Sequence, residues 1–390
     1  MHCSCSALSC PLALLLSLVA VAALPADDYH VSRAFGVAPE PACMPALTRA
    51  PNGDLLVAFS TEWEPFPAGG VLKMVHSQDE GRTWSAPRVL WKPEDRRVTI
   101  QVANGMQTLS NGDVLLPVTW GIVPKRKQVP AGEKRPAKIY DLSRGPGYRR
   151  EVRFLRSRDN GRTWAIEDPQ LVKPWWRFGR LFESRDGRLI MPGNGWFIAS
   201  RDYGKTWGPK VAISTRFRSE TNVVEAADGT WFSIARGGGG LPRRTFGTNF
   251  SRDGGLTWGA PRSAKVQGKM PDLLVIPSGR ILMTVGAEGL TDGSQILTTA
   301  SRRSFCTLFV SDDHGRSWRR DTPLAPTDAQ RAVNKAASTV PGDSPVMCQL
   351  SEGKLLVVMQ GIDRDQADHP LMGYSAGMSL IGNVLAPVKR

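Results

Sequence analysis

The sequence predicts an all-β protein, a six-bladed β-propeller of four-stranded antiparallel blades. Two repeats carry this prediction: an octapeptide that recurs five times and a hairpin pattern that recurs six times. The composition agrees, because Gly (39) and Pro (29) together exceed a sixth of the 390 residues, which favours many turns. With 41% hydrophobic residues the chain can bury a large core, and disordered and collagen-like classes are excluded.

The octapeptide reads Ser-x-Asp-x-Gly-x-Thr/Ser-Trp, and each copy follows a short apolar run. This pattern is typical of a tight hairpin turn. Asp can accept hydrogen bonds from backbone amides further along the turn, Gly allows a positive φ, and Trp buries a large ring against its own sheet. The copies occupy residues 77–84, 157–164, 200–207, 251–258 and 311–318.

The hairpin pattern places Asn-Gly, Asp-Gly or Ser-Gly type turns between two short apolar strands. Six such hairpins, five of them followed by the octapeptide, predict six units of four strands. We expect residues 29–35 to complete a blade and close the ring, since closure removes exposed sheet edges. The alternative, a β-sandwich, does not explain the repeated turn. The hairpin glycines are Gly53, Gly112, Gly187, Gly229, Gly279 and Gly353.

Residues 12–24 form an apolar run that is too short to span a bilayer comfortably. The run is typical of a secretory signal, with small residues before a cut near residue 26. Because no Lys or Arg precedes it, a membrane anchor or a mis-assigned start is the alternative. We expect residues 1–26 to be a signal peptide and residues 27–390 the propeller of a secreted, periplasmic or extracellular protein.

Three cysteines follow this segment: Cys43, Cys306 and Cys348. An odd, sparse set without a CxxC spacing predicts neither a disulfide framework nor a zinc site. A single bridge between Cys306 and Cys348 stays open. No nucleotide, flavin or haem motif occurs and the histidines are scattered, so we expect no cofactor and no metal.

The chain carries a formal net charge of +14. Residues 121–150 concentrate nine Lys and Arg against two acidic residues, and we interpret them as a basic insertion at the edge of a blade. A solvated loop is the preferred interpretation. The alternative is a rim that attracts polyanionic glycans or a membrane surface. A nucleic-acid partner is not expected for a secreted chain without stacking motifs interleaved among these charges.

Five octapeptides combined with this hairpin pattern resemble the sialidase (neuraminidase) superfamily, in which the octapeptide is called the Asp-box. The resemblance runs from about residue 31 to the C-terminus and implies a six-bladed propeller. It also implies that the boxes are peripheral turns, so that their aspartates are structural. In this family three arginines hold the substrate carboxylate, a Tyr paired with a Glu is the nucleophile, and an Asp is the acid/base. Arg suits a carboxylate because its planar fork makes two parallel bonds.

Three positions of this sequence match the site that the resemblance implies. Glu220, nine residues before Gly229, resembles the glutamate that partners the tyrosine. Arg236, after the next strand, resembles the second arginine. Arg303, eight residues before Ser311, stands where the third arginine is expected.

Three other positions depart from the family pattern. Cys43 stands where the first arginine is expected. Ser344 stands at the position of the nucleophilic tyrosine, with Asp343 beside it. Between the first hairpin and the first box, where the acid/base aspartate is expected, the chain offers Glu62 and Glu64.

Other residues can compensate for these departures. Arg33 or Arg244 is a candidate to replace the missing arginine in substrate binding. Most glycosidases use two carboxyl groups across the scissile bond. We therefore assign Asp343 as nucleophile or base and Glu62, or alternatively Glu64, as acid.

The resemblance and these residues predict a secreted sialidase-like exo-glycoside hydrolase that removes a terminal sialic acid or another acidic sugar from glycans. The alternative is a non-catalytic glycan-binding propeller that has lost the tyrosine nucleophile. A third hypothesis is a structural or adhesion module that uses the basic insertion. The expected partner is an anionic glycan, and the expected state is a monomer without stable membrane insertion.

Overall fold

The computed structural model describes residues 29–32, 34–39, 42–61, 70–95, 98–102, 105–122, 149–167, 179–237, 245–289, 306–324, 339–363 and 378–388. Within these ranges the chain forms 25 strands and one 3₁₀ turn, Ser351–Gly353, and no α-helix. The strands pair in antiparallel fashion into five sheets. The prediction of an all-β protein is confirmed. Over the same ranges, no helix is long and apolar enough to cross a bilayer.

The first two sheets follow chain order, as expected for strands joined by hairpins. The first sheet consists of β3 (Cys43–Arg49), β4 (Leu55–Ser60), β5 (Leu72–Ser77) and β6 (Arg88–Trp91). The second consists of β7 (Val98–Val102), β8 (Gln107–Thr108), β9 (Val114–Ile122), β10 (Arg149–Ser157) and β11 (Ala165–Glu167). In the second sheet β7 and β8 pair with the same strand, β9.

The third sheet has four strands and the fourth has seven. The third consists of β12 (Phe182–Glu183), β13 (Leu189–Pro192), β14 (Trp196–Ser200) and β15 (Val211–Ala212). The fourth consists of β16 (Phe217–Glu225), β17 (Trp231–Gly237), β18 (Thr245–Ser251), β19 (Arg262–Val275), β20 (Ile281–Gly289), β21 (Thr307–Ser311) and β22 (Arg319–Pro323). The long strand β19 joins the two halves of the fourth sheet, because the first part of β19 pairs with β18 and the second part with β20.

The fifth sheet, here called the terminal sheet, contains both ends of the described chain. Its strands are β23 (Thr339–Gln349), β24 (Leu355–Asp363), β25 (Met378–Pro387), β1 (Tyr29–Val31) and β2 (Phe35–Ala38). Both N-terminal strands pair with β25, and Tyr29 lies opposite Pro387. The prediction that residues 29–35 complete a sheet made by the C-terminal strands is confirmed.

The hydrophobic cores lie between neighbouring sheets. One cluster joins the first sheet to the second, where Leu56 packs with Leu116. Further clusters join the second sheet to the third and the third to β16 and β17. Another joins the two halves of the fourth sheet. The last two place the terminal sheet against β20 and β21 on one side and against the first sheet on the other. The sheets therefore close into a propeller-like ring.

Four of the five octapeptides form the turn between the last two strands of a sheet, and the one at residues 251–258 joins β18 to β19 within the seven-stranded sheet. In the first, the Asp79 carboxylate accepts bonds from Ser77 Oγ at 2.8 Å, from the Thr83 amide at 2.8 Å and from Thr83 Oγ1 at 2.6 Å. The next residues, Glu80 and Gly81, both adopt a positive φ. The same bonds recur in the other four turns, where the aspartates are Asp159, Asp202, Asp253 and Asp313.

The three cysteines of the described chain are buried and form no disulfide bond. The bridge left open between Cys306 and Cys348 does not form. Burial raises the pKa of the Cys348 thiol, which opposes formation of a thiolate. The proposed signal peptide (1–26) and residues 123–148 of the basic insertion lie outside the described residues.

Candidate functional site

One backbone irregularity recurs in four strands. They are the first strands of the first, fourth and terminal sheets, β3, β16 and β23, and the long strand β19. Each contains a β-bulge with a non-glycine residue in the left-handed region, nine residues before the glycine of the following hairpin. A bulge bends its strand and redirects the side chains beside it. The left-handed residues are Met44 (φ 55°), Glu220 (φ 53°), Met270 (φ 49°) and Ser344 (φ 53°).

The residue before each left-handed residue occupies the same place in its strand pairing. In every case it faces a residue of the next strand, immediately before the register shifts. These four matched positions carry different chemical groups: a thiol, a hydroxyl, an ammonium and a carboxyl group. The pairs are Cys43 with Ser60, Ser219 with Arg236, Lys269 with Gly286, and Asp343 with Gln360.

The bulges meet at the centre of the ring. Cys43, Met44 and Met270 form one buried cluster although they belong to different sheets. Ser344 donates from Oγ to the Met44 sulfur at 3.5 Å. The Met44 amide donates to Gln360 Oε1 at 3.2 Å. Residues far apart in the sequence are thus brought into one central site.

Glu220 and Arg236 form the charged part of this site. Glu220 is only 3% exposed, and its Oε1 lies 2.8 Å from Arg236 Nη2. Its Oε2 accepts the Met270 amide at 2.8 Å. Arg236 also donates to Ser219 Oγ at 3.4 Å, and its side chain is 26% exposed. Since a guanidinium has five N–H donors, Arg236 can bond a ligand while it keeps Glu220.

A second ion pair lies fully inside the ring and fixes this region. Arg180 Nε and Nη2 donate to the two Asp272 carboxylate oxygens at 3.0 and 2.6 Å, and Asp272 is completely buried. Arg180 also donates to the Met347 carbonyl at 2.5 Å, and the Met347 amide donates to Asp272 at 2.8 Å. Burial alone would lower the pKa of Arg180, but the Asp272 charge and hydrogen bonds outweigh it and raise that pKa. The pair ties the third, fourth and terminal sheets together.

Of the predicted site residues, the structure brings Glu220 and Arg236 together. Asp343 lies on β23 beside Ser344, and its backbone pairs with that of Gln360, but its side chain is not among those described. Glu62, Glu64, Arg33, Arg244 and Arg303 lie outside the described residues. Their assigned roles stay predictions.

At the two positions where the resemblance implies an arginine and a tyrosine, this chain has Cys43 and Ser344, and both are buried. Cys43, in place of the expected first arginine, is fully buried and donates from Sγ to the Ser60 carbonyl at 3.2 Å. Ser344, in place of the tyrosine, is also fully buried. Among the described side chains, no group of three or more His, Cys, Asp or Glu could hold a metal ion.

Sequence reasoning missed the ion pair of Arg180 with Asp272 and the central positions of Met270 and Lys269. A signal for the bulges was present, because proline follows three of the four left-handed residues, as in Met44-Pro45. Proline lacks the amide that a sheet ladder needs and is therefore confined to edges, strand starts and bulges.

The repeated box turns and the ring of antiparallel sheets define a protein of the sialidase-fold propeller superfamily. The chain belongs to the BNR repeat-like domain family, whose sequence model matches residues 140–338, just over half of the chain. No curated protein matches the sequence.

Solved structures share the fold at low sequence identity. A protein of unknown function from Dyadobacter fermentans is 17% identical, with a TM-score of 0.63, over 93% of this chain and 100% of that one. The intramolecular trans-sialidase of Ruminococcus gnavus, in complex with oseltamivir carboxylate, is 14% identical, with a TM-score of 0.57, over 90% and 96%. The α-L-arabinanase of Penicillium chrysogenum, complexed with arabinobiose, is 17% identical, with a TM-score of 0.56, over 92% and 98%.

Proposed function

We propose that this chain is a six-bladed sialidase-like propeller that acts on glycans as an exo-glycoside hydrolase, removing a terminal sialic acid or another acidic sugar. The count of six rests on dividing the seven-stranded sheet at β19, where the strand changes partner from β18 to β20. The six larger core clusters support this division, since one lies at each junction around the ring.

The observation that carries the proposal is the ion pair of Glu220 with Arg236 at the central bulges. Both residues were predicted from the sequence as parts of a sugar site, and they meet at 2.8 Å with Arg236 partly exposed. A buried carboxylate that holds a guanidinium in one orientation prepares it to receive an oxygen-rich ligand. The centre of the ring is also where the strands from different sheets converge.

Without the tyrosine, hydrolysis would follow the commoner route, in which two carboxyl groups flank the scissile bond. We assign Asp343 as one of them, because it occupies the matched position beside the left-handed Ser344, and Glu62 as the other. In this assignment Glu220 positions Arg236 and does not react, because its oxygens are bonded to Arg236 and to the Met270 amide. Asp343 then acts as nucleophile or base and Glu62 as acid.

A second candidate function is glycan binding without cleavage. The observation that favours it is Ser344, which is fully buried where the family's nucleophilic tyrosine is expected. A buried hydroxyl that donates to the Met44 sulfur is not positioned as a nucleophile. In this case Arg236 and Glu220 would remain as a binding site alone.

The test is a glycan screen on the purified chain that scores bound sugar and released sugar separately. Sialosides, uronic-acid-capped oligosaccharides and neutral oligosaccharides are compared for the wild type and for Arg236→Met. Arg201→Met, an exposed arginine in a box turn, is the matched control. Release that disappears only in Arg236→Met supports the hydrolase. Binding without release supports the second candidate, and neither binding nor release contradicts both.

We also propose that the protein is exported through removal of residues 1–26. The apolar run at residues 12–24 supports this. Mass spectrometry of the protein from its own cells should give a mature N-terminus near residue 27, and an intact N-terminus would contradict cleavage of a signal peptide.

A further inference from the structure

The outer edge of the third sheet carries a run of positive charge that has no part in the central site. From residue 205 to residue 218 the sequence holds four basic residues and no acidic one, and all four basic side chains are exposed. Two precede and two follow β15, the last strand of this sheet. We call residues 205–218 the basic edge. Its basic residues are Lys205, Lys210, Arg216 and Arg218.

Three of these charges have no acidic partner. Within the described ranges, no carboxylate forms an ion pair with Lys205, Arg216 or Arg218. Lys210 is already engaged, since its ammonium lies 5.1 Å from the centre of the Trp196 ring. The basic edge therefore has three cations that a ligand can use.

The acidic residues that flank the basic edge in the sequence are both occupied. The Asp202 carboxylate accepts bonds from Ser200 Oγ at 2.7 Å, and from the amide and Oγ1 of Thr206 at 2.8 and 2.6 Å. On the other side, Glu220 Oε1 lies 2.8 Å from Arg236 Nη2. Neither carboxylate is placed to neutralise the edge, and its charge faces solvent.

The backbone around β15 is fixed by hydrogen bonds. The amides of Ile213 and Ser214 donate to the Gly195 carbonyl at 2.8 and 3.0 Å. Ser214 Oγ accepts the Arg216 amide at 3.1 Å. Gly195 in turn donates from its amide to Thr221 Oγ1 at 2.9 Å. A ligand that binds here does not have to order a loop, which lowers the entropic cost of binding.

The basic edge begins at the outside of the ring and ends beside the central site. Lys205 lies in a box turn, whereas Arg218 stands two residues before Glu220 in β16. A chain molecule bound along the edge therefore extends from the outside of the ring toward the ion pair of Glu220 with Arg236.

The uncharged side chains of the basic edge decide what kind of partner fits. No large apolar side chain is exposed between residues 205 and 218, whereas binding to a lipid surface uses apolar side chains that insert. The two aromatic rings are engaged, because Trp207 stacks on Phe154 at 5.4 Å and Phe217 is buried. They offer little surface for stacking on nucleic-acid bases. The exposed uncharged residues are small: Thr206, Gly208, Pro209, Ala212 and Thr215.

We propose that the basic edge is a second binding surface, for a linear polysaccharide that carries a carboxylate or sulfate on its repeating units. A row of cations separated by small residues is complementary to a flexible chain of anions. One exposed ion pair contributes little, but contacts along one polymer reinforce each other, because each further contact forms within the same complex. The surface therefore binds the polymer and not a single acidic sugar. This inference goes beyond the proposed function, since binding along the edge needs neither Glu220 nor Arg236.

The test uses heparin and polygalacturonate as probes. Their binding is measured for the wild type and for the triple variant Lys205→Met, Arg216→Met, Arg218→Met. The three exposed cations are lost together, so binding should weaken by roughly tenfold or more. The slope of log affinity against log salt concentration should also fall by about two to three, because fewer counterions are released. A triple variant that binds both polymers as the wild type does overturns the proposal.

A second triple variant controls for the net charge of the protein. Arg82→Met, Lys92→Met and Arg252→Met remove three exposed cations outside the basic edge and leave the same net charge as the first variant. This control should bind heparin as the wild type does. If it loses as much affinity as the first variant, the polymer responds to net charge alone and the proposal fails.

Further probes decide the class of partner and separate this surface from the central site. Neutral dextran should not bind, and monomeric glucuronate should not displace heparin. Single-stranded DNA and vesicles of phosphatidylcholine with phosphatidylglycerol are measured at the same salt concentration. If either binds more tightly than both polysaccharides, and the first variant loses that binding, the edge belongs to a different partner and the proposal is overturned. Arg236→Met should still bind heparin, and a loss there would place the polymer at the central site, against a second surface.

Discussion

The box turns and the central bulges are both repeated in this chain, but different things repeat in them. In the turns the side chains recur, and the five aspartates accept the same bonds at 2.5–2.9 Å. At the centre the backbone recurs, with four left-handed residues at φ 49–55°, while the side chains differ. The fold therefore fixes the geometry of the centre and leaves its chemistry open. This difference explains why the turns report the architecture, whereas the proposed function rests on the side chains at the centre.

The largest effect expected at the centre concerns Asp343. If Asp343 is the nucleophile or base, Asp343→Asn should lower the rate of sugar release by about 10²–10⁴-fold. Binding of the glycan should persist, because Glu220 and Arg236 are untouched. Rates and dissociation constants are measured for the variant and for Asp54→Asn at the rim. Release that survives Asp343→Asn unchanged would remove Asp343 from the mechanism.

The next effect concerns the scaffold of the centre. Arg180→Met leaves the Asp272 carboxylate buried without its partner, and breaking such a pair costs about 3–5 kcal/mol. We expect the free energy of unfolding in urea to fall by that amount. Arg216→Met, an exposed arginine, is the control and should change little. Asp272→Leu added to Arg180→Met should restore part of the loss, because no unpaired charge then remains.

Two glycines, one in a box turn and one in a hairpin turn, form a matched pair that separates the effect of packing from that of backbone strain. Gly255 in a box turn has φ 85°, and an added Cβ would meet Trp231 at 2.8 Å and Phe197 at 3.0 Å. Gly53 in a hairpin has φ 93° and open space around it. Gly53→Ala should cost about 1–2 kcal/mol through the left-handed conformation alone. Gly255→Ala should cost about 1–3 kcal/mol more through overpacking. Equal losses of stability in thermal or urea unfolding would contradict the idea that the box glycine lets its turn pack closely against Trp231 and Phe197.

The rim and the centre also differ in how far the sequence could predict them. The Asp79 carboxylate accepts its hydrogen bonds from Ser77 and Thr83, which lie in the same octapeptide, so the turn could be predicted from the octapeptide alone. Glu220 meets the Met270 amide across 50 positions, and Met44 meets Gln360 across 316. Contacts of that range depend on how the sheets are placed around the ring, which no local pattern fixes. The resemblance located Glu220 and Arg236, and it located Cys43 and Ser344 as departures from the family, but it did not show what Cys43 and Ser344 contact.

The continuous strand β19 escaped prediction for a related reason. The segment after the fourth box runs from Arg262 to Val275 without a Gly-Pro or Asn-Gly break. The repeats mark two units here and Pro271 is a signal for the bulge at Met270, but the continuity of the strand between the two units is visible only once its partners are known.

The smallest effect on stability at neutral pH concerns the carboxyl groups of the first box turn, and this effect grows as the pH falls. Glu80 of the first box accepts bonds from Ser351 in the terminal sheet and from Arg49, and these lower its pKa from an ordinary 4.5 to about 2. Within the same turn, hydrogen bonds from Thr83 lower the pKa of Asp79 from 3.8 to about 2. A carboxyl group whose pKa is depressed by folding stabilises the fold at pH values above its unfolded pKa. That stabilisation is lost as the pH falls from about 4.5 toward 2.

Thermal unfolding between pH 6 and pH 2 measures this loss. The melting temperature should hold above pH 5 and fall steadily below it, and Glu80→Gln should flatten part of the fall while it lowers the plateau. Glu352→Gln, an exposed carboxylate on the neighbouring hairpin turn, is the control and should follow the wild type. A fall that is just as steep in Glu80→Gln would mean that the contact between the first and last sheets does not depend on this charge. In that case the box aspartates account for the acid sensitivity, because hydrogen bonds inside their own turns lower their pKa values.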